Sequence, residues 1–599
     1  MQVDGSTVDA IAARWFATRA GQPGLAYGVV ADGELVHSGG LGERSTSQRP
    51  PDADTVFRIA SMTKSFTAAV VLLLRDSAAL TLDDPAGSYV PELAGLRLPA
   101  PDCPAVTIRQ LLTMTAGFPS DDPWGDRQQG LDPAEFARLL ADGEVRCAWA
   151  PGTRFEYSNL GYAILGRVIE SVTGQDYARV VRERLLRPLG LGQTGYEALE
   201  VDPSQLARGY RRDATGGWLE VPADPYGAFA PMGGVFSCVR DLARWVAGFA
   251  AAFPARAEAP DDADAGHPVR RASRRDMQRA HVTIPVGGDG TVVRFGGPPR
   301  LSYGFGLFCE DDPSFGDIVQ HSGGYPGYGS NMRWHPATGL GVIVLANGTY
   351  APAGALAGEL LTALLASAAA TPRASACHIS GPAPAPGGPW TETLTARDAV
   401  DGLLQHWNDE VASRLFAPNV DLDQPLADRQ ADIATLRERI GAFESDADRP
   451  AECDSPAHCR WWLTGPGGTV AVQIRLAPLR EPLVQQLVVT VPPAPGSPLA
   501  RGLATLTVLL GRDPEQWPDD VLAGLAVADG LRAAEVRRQL LIARAWAGGC
   551  VLDSYLAGNG DTAATVRLLG TTGRVELALQ VTESGELVRA AIELGRVKT

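Results

Sequence analysis

"FRIASMTKSFTAAVVLLL" (57–74) changes character at its middle. Phe57 to Ala60 read as extended chain. From Ser61 on, the segment reads as strongly helical. Ser61 and Lys64 have the S-x-x-K spacing, and residues three apart share one face of a helix. A serine hydroxyl is a weak nucleophile without a base beside it, and a lysine acts as that base when burial or nearby cations lower its pKa. At a helix start, free N–H groups and the helix dipole also favour developing negative charge. The spacing alone is equally compatible with a capped, solvated helix start.

Working outward, two further stretches carry chemistry. "PGTRFEYSNLGYAILGRVIESVTG" (151–174) places Tyr157, Ser158 and Asn159 just before a helix with Leu160, Ala163, Ile164 and Val168 on its apolar positions. Tyr157, as tyrosinate or as a hydrogen-bonded phenol, can relay a proton, and Asn159 can orient substrate and lysine. Ser158 or Asn159 can equally serve as an N-cap, with Tyr157 packed against the helix. The tetrapeptide His-Ser-Gly-Gly occurs twice, at 37–40 and 321–324. The later copy, in "DIVQHSGGYPGYGSNMRWHPATGLGVIVLANG" (317–348), follows extended residues and precedes a glycine-rich turn and two strand-like runs. His321 with Ser322, Gly323 and Gly324 behind it leaves room for a substrate along the strand edge, where backbone N–H groups can hold an oxyanion. The earlier copy ends the second strand of a hairpin turning at Ala31-Asp32-Gly33 and reads as strand-end residues.

S-M-T-K, then Y-S-N, then H-S-G, in that order and with their flanks "DTVFRIASMTKSFTA" and "PMGGVFSCVRDLARW" (231–245), resemble the penicillin-recognising serine hydrolases. The branch is that of class C β-lactamases, DD-carboxypeptidases, D-aminopeptidases and related esterases, and the resemblance covers about 20–350. It implies that Ser61 is acylated, that Lys64 accepts its proton, and that Tyr157 and Asn159 assist. His321 stands where many members have lysine, and the N–H groups of Ser61 and Gly324 form the oxyanion hole. It also implies an α+β, β-lactamase-like fold. Two early strands (about 24–39) and three late ones (about 303–347) share one antiparallel, five-stranded-type sheet flanked by helices, and a helical lobe supplies the other wall of the site. Two positions depart from the pattern. "LLTMTAGF" (111–118) has Met114 and Ala116 where relatives commonly have His and Ser, and reads as structural. His321, with an ordinary pKa near 6.5, is partly charged at neutral pH and holds a carboxylate less firmly than lysine. The expected activity is therefore hydrolysis of an ester, amide or peptide, including D-amino-acid substrates, through an acyl-enzyme. Acyl transfer, true β-lactamase activity and a silent binding role on the same fold are the alternatives.

The rest of the chain sets limits. Its 599 residues suffice for several domains, and its net charge of −16 argues against a nucleic-acid partner. The start reads as an amphipathic helix, capped by Ser6 or Thr7, with Val8, Ile11, Ala12, Trp15 and Phe16 on one face, and shows no secretion signal. The Ala-rich run 353–370 carries Glu359 and reads as a packed helix, so no membrane span is expected. Eight scattered cysteines form no CxxC pair, and Cys453, His458 and Cys459 lack further ligands at zinc spacing. No metal or cofactor is expected, and the default location is the cytoplasm. A hydrolase domain over 1–370, with a surface insertion at 254–268, is followed by a Pro/Gly/Ala-rich linker at 371–389. Beyond it, "LTGPGGTVAVQIRL" (463–476) resembles "LLGTTGRVELALQV" (568–581) at an offset of 105, as does "LRERI" (436–440) "LIARA" (541–545). "WNDEV" (407–411) matches "WPDDV" (517–521) at an offset of 110. Two small α+β repeat domains, 390–495 and 496–599, are expected.

Overall fold

A computed structural model of the chain describes residues 3–18, 22–45, 49–213, 217–253, 267–284, 300–312, 314–367, 388–446, 449–453, 455–517, 533–582 and 586–595. The described residues up to 367 form one compact unit, and those from 388 onward, apart from the turn 478–481, form another.

In the first unit, "GLAYGVVA" (Gly24–Ala31) and "ELVHSGGLG" (Glu34–Gly42) form the expected hairpin. Asp32 and Gly33 both adopt positive φ, +52° and +81°, as a two-residue turn that follows strand twist requires. Gly24–Ala31 then pairs with the last strand of the unit, Leu340–Ala346, so the chain's beginning and end share one antiparallel sheet. The sheet continues through Tyr328–His335, Gly316–Tyr325, Phe308–Asp312, Arg300–Tyr303 and Val282–Thr283. It has eight strands where five were expected. Two of the additional strands, Phe308–Asp312 and Arg300–Tyr303, come from around "LSYGFGLFCEDD", where Gly304 and Gly306 interrupt the alternation by which a strand is recognised, and the third is the two-residue edge strand Val282–Thr283.

The strands Gly24–Ala31, Tyr328–His335 and Leu340–Ala346 are buried along their whole length, because helices cover both faces. On one face Val8, Ala12 and Trp15 of helix Gly5–Thr18 and Leu356, Leu360, Leu361 and Leu365 of helix Ala353–Ser367 pack on Leu25, Val29, Val342 and Val344. The N-terminal helix is capped by Asp4, whose carboxylate takes the Ser6 N–H and both the Ser6 and Thr7 hydroxyls. The two hydroxyls donate there, and neither caps. On the other face lies helix Val239–Ala250, with Trp245 stacked on Phe66 and Phe249 on Trp334. Helices Thr63–Asp76 and Asn159–Thr173 pack on one another at the centre of the helical lobe. No described helix is long and apolar enough to cross a membrane. The surface insertion lies, except for His267 and Pro268, outside the described residues, as does most of the linker.

In the second unit a like order of elements occurs twice, and we keep the repeat as a proposal. Helix Thr391–Gln405 corresponds to Pro498–Gly511, and Leu426–Ile440 to Ala533–Ala547. Strands His458–Gly465, Gly468–Leu476 and Val484–Val489 correspond to Ala563–Leu569, Arg574–Val581 and Leu587–Gly595. The two halves share one sheet, joined where Val470 pairs in parallel with Tyr555 of strand Val551–Gly558. The boundary at 495/496, which we retain as a proposal, falls between the last strand of one half and the first helix of the next. The second copy of the "WNDEV" motif lies, beyond Trp517, outside the described residues.

Candidate active site

The Ser61 segment enters the site through a single 3-10 turn, Ala60–Met62, and continues as the α-helix Thr63–Asp76. Ala60 sits at φ +48°, a left-handed conformation that residues with a Cβ rarely adopt. The turn is held from outside: the Ile59 N–H donates to the Val235 carbonyl, and the Ser330 hydroxyl donates to the Ile59 carbonyl over 2.7 Å. Gly323 lies directly beneath, where a Cβ would stand 2.2 Å from that same carbonyl oxygen. This close approach is why the third residue of the later His-Ser-Gly-Gly is glycine.

Lys64 is fully buried. Its Nζ lies 2.9 Å from Ser61 Oγ, 2.7 Å from Asn159 Oδ1 and 2.9 Å from the Met232 carbonyl oxygen, which accounts for all three ammonium hydrogens. Burial pushes its pKa down to about 8, against the pull of the Asp122, Asp126 and Asp121 carboxylates. An amine held within reach of a serine hydroxyl and losing its proton near neutral pH can serve as a general base.

Tyr157 is half-buried, its ring 4.9 Å from Lys64 Nζ and its hydroxyl hydrogen-bonded to Ser61. Burial and then the Asp122 charge push its pKa well above the ordinary phenol range, so the group is a protonated phenol and the tyrosinate form is not supported. Ser158 takes the N-cap of helix Asn159–Thr173, its hydroxyl accepting from the Gly161 N–H. Capping and chemistry are thus divided between neighbours in one motif.

Two residues that were not singled out from the sequence complete this wall. Asp121 accepts from the Asn159 and Leu160 N–H groups and the Ser158 hydroxyl, and burial pushes its pKa up to about 7 against those donors. Asp122 Oδ1 accepts from Asn159 Nδ2 over 2.7 Å, which turns the amide so that its oxygen faces Lys64. The signal available was the acidic loop "SDDPWGD" (120–126), which carried no recognisable spacing. "LLTMTAGF" is structural, as expected: the Met114 carbonyl accepts from the Glu156 N–H, the Met114 sulfur from the Ser158 N–H, and the Leu112 carbonyl from the Tyr162 hydroxyl.

His321 faces the same pocket and is almost wholly buried. Its Nδ1 is 2.6 Å from the Ser322 carbonyl oxygen, which can only accept, so Nδ1 carries the hydrogen and Nε2 accepts from the Tyr303 hydroxyl at 3.2 Å. Burial, with the Lys64 charge second, pushes its pKa down to about 3. The expectation of a partly charged histidine is therefore corrected: His321 is neutral, because an aromatic wall of Tyr157, Tyr303 and Phe308 surrounds it and supplies no counter-charge. Strand alternation turns the Ser322 side chain to the opposite face, where its hydroxyl accepts from Asn331 Nδ2, so of Ser322 only the backbone remains at the site. Gly323 and Gly324 continue the strand edge beside the Ser61 turn.

The earlier His-Ser-Gly-Gly has a different use. His37 Nε2 lies 2.7 Å from Asp9 Oδ1, which also accepts from the Tyr27 hydroxyl, and so the strand is tied to the N-terminal helix. Gly39 and Gly40 make room for the Tyr27 hydroxyl and the Pro51 carbonyl.

Known proteins share this chain's fold and family. The family model described as Beta-lactamase matches residues 12–367. The chain is 28% identical over 337 residues to the D-alanyl-D-alanine-carboxypeptidase/endopeptidase AmpH of Escherichia coli K12, covering 54% of this chain and 79% of that protein. It is 26% identical over 331 residues to protein flp of Staphylococcus aureus strain COL, covering 54% of this chain and 59% of that one. Among solved structures, the octameric penicillin-binding protein homologue from Pyrococcus abyssi superposes with a TM-score of 0.52 at 22% identity, over 79% of this chain and 96% of that one. With a matching family model over more than half its length and the Ser61–Lys64 pair at the meeting of sheet and helical lobe, this chain belongs to the beta-lactamase family of serine hydrolases.

Proposed function

We propose that the protein hydrolyses an uncharged ester or amide, D-amino-acid amides included, through an acyl-enzyme on Ser61. The observation that carries this reading is the 2.9 Å contact between Ser61 Oγ and a buried Lys64 whose pKa is drawn down to about 8. In its neutral form Lys64 takes the Ser61 proton as Oγ attacks the carbonyl carbon. The N–H groups of Ser61 and Gly324 receive the oxyanion. The Tyr157 phenol, hydrogen-bonded to Ser61, gives its proton to the leaving group as Lys64 returns to it the proton taken from Ser61, so both groups regain their starting form; water then attacks the acyl carbon and, by the same relay in reverse, releases the acid and restores the Ser61 hydroxyl. Neutral His321 supports the preference for uncharged substrates. His321 supplies no positive charge, and the Lys64 charge is set among Asp121, Asp122 and Asp126, so no described residue identified at the site is placed to reward a substrate carboxylate. We place the protein in the cytoplasm, in keeping with the free thiols of Cys147, Cys238 and Cys550.

The test compares kcat/KM on 4-nitrophenyl acetate, a D-alanine anilide and nitrocefin, with intact-mass measurement of the acylated chain. The ester or the anilide should exceed nitrocefin, and Ser61→Ala should abolish both turnover and the mass adduct while the protein stays folded. If nitrocefin proves the best of the three, the protein is a β-lactamase and the assignment of His321 is wrong.

A further inference from the structure

The strand Gly316–Tyr325 pairs with Phe308–Asp312 only as far as Gln320↔Phe308, while its other edge stays paired up to Tyr325↔Tyr328. From His321 to Gly324 one edge therefore has no strand neighbour among the described residues, and it runs beside the Ser61 turn. Tyr350 stands at the far end of that edge. Its ring lies against Gly324, where a Cβ would come within 2.8 Å of Tyr350 Cδ1. Its hydroxyl donates to Asp126 Oδ2 over 2.8 Å, in the loop that also supplies Asp122 to Asn159. One side chain thus runs from the sheet to the helical lobe alongside Gly324.

The backbone of Tyr350 is strained. Its φ is +49°, left-handed, which a bulky aromatic residue seldom adopts. Burial does not explain the choice, since 44% of the residue is exposed. The conformation is held by the bond from its N–H to the Tyr325 carbonyl and by the tether to Asp126, and both serve to keep the ring where it is. Strain maintained at the rim of a catalytic pocket for a half-exposed ring is accounted for when the ring shapes what enters.

We propose that Tyr350 is a specificity-determining residue, a bar across the Gly324 end of the substrate channel that restricts the protein to substrates with a small substituent on that side. The inference rests on the hydrolase reading above and adds the size of the group accepted. It is tested by kcat/KM for two ester series, one lengthened in the acyl chain (4-nitrophenyl acetate to octanoate) and one in the alcohol (methyl to octyl acetate), in wild type, Tyr350→Gly and Tyr350→Asn. Glycine and asparagine both accept a left-handed backbone, so either variant can fold. The long-to-short ratio is insensitive to the fraction of active enzyme, so a merely structural role leaves it unchanged. Lost contacts of one or two methylenes change such ratios by about tenfold. The expected result is a rise in that ratio of about tenfold in one series for both variants. A change of threefold or less in both series overturns the gate while leaving the hydrolase reading intact. A wild type that turns over no ester and forms no Ser61 adduct removes both.

Discussion

At Lys64 two opposed effects meet. Burial removes water from the ammonium and drives the proton off, while the Asp122, Asp126 and Asp121 carboxylates hold it on, and burial prevails. In the proposed mechanism Lys64 works as a base in its neutral form, so kcat/KM should rise with pH through a limb near pH 8. Asp122 acts on this limb twice: its charge raises the lysine, and its bond to Asn159 Nδ2 sets the amide that faces Lys64. The other groups facing Lys64 are Ser61, the Met232 carbonyl, the Tyr157 and Tyr162 rings, and neutral His321. Replacing Asp122 by Asn removes one negative charge and lowers the lysine further, so the limb should move to lower pH. The plateau kcat should fall about tenfold or more, because a neutral amide oxygen, which can rotate away to present its NH2, holds Asn159 Nδ2 less firmly than a carboxylate, and KM should change less. Asp122→Glu should restore the limb in part. A limb that stays in place, or moves up, would show that Asp122 does not reach Lys64.

At the scale of elements, the two histidine tetrapeptides show one local sequence put to two uses. His37 joins strand Glu34–Gly42 to helix Gly5–Thr18 through Asp9, whereas His321 is buried within reach of the Lys64 charge. His37→Ala removes a partly exposed bond that contributes about 1 kcal/mol to stability. It should lower the melting temperature slightly and leave kcat/KM within about threefold. His321→Ala should lower kcat/KM by about 100-fold. Because His321 stays neutral down to about pH 3, its loss should scale the pH profile of wild type without reshaping it between pH 5 and 8. Equal losses from both variants would mean that the wrong copy has been placed at the site.

At the scale of the molecule, the two halves of the second unit depend on one another as well as on their own helices. Arg567, nearly buried, donates over 2.8 and 3.2 Å to both oxygens of Glu452 in the other half, and Arg449 pairs with Asp553 at 2.8 Å. Burial alone would push the Glu452 carboxyl up, but the hydrogen bonds and charge of Arg567, with Arg460 and Arg574, hold it below its ordinary value. A depressed carboxyl pKa gives stability that is complete above the unfolded value of about 4.5 and is lost as pH falls through the lower folded value. Glu452→Gln should therefore cost about 1–2 kcal/mol at pH 7, toward the lower end because Glu452 is partly solvated, and the cost should shrink in acid. Amide hydrogen exchange across His458–Gly465 and Ala563–Leu569 reads this locally. Unchanged protection in both strands at pH 7 would show that the halves do not support each other through this pair.

What the sequence determined by itself is what local geometry dictates. Three residues apart on a helix is a contact, so Ser61 and Lys64 were legible as a pair, and alternation and turn chemistry gave the early hairpin. The identity of the family was legible because three short motifs keep their order. What only the tertiary structure decided depends on residues far apart in the chain. Asn159 meets Lys64 across 95 positions and Gly323 meets Ile59 across a longer gap, and no spacing rule announces either. Burial is likewise a property of the folded whole, and it made His321 neutral, kept Tyr157 protonated and brought Lys64 toward neutrality. The Ser322 side chain turned away because strand alternation has a phase that only its neighbours fix, and Asp122 and Tyr350 came into view because the sheet and the helical lobe place them there.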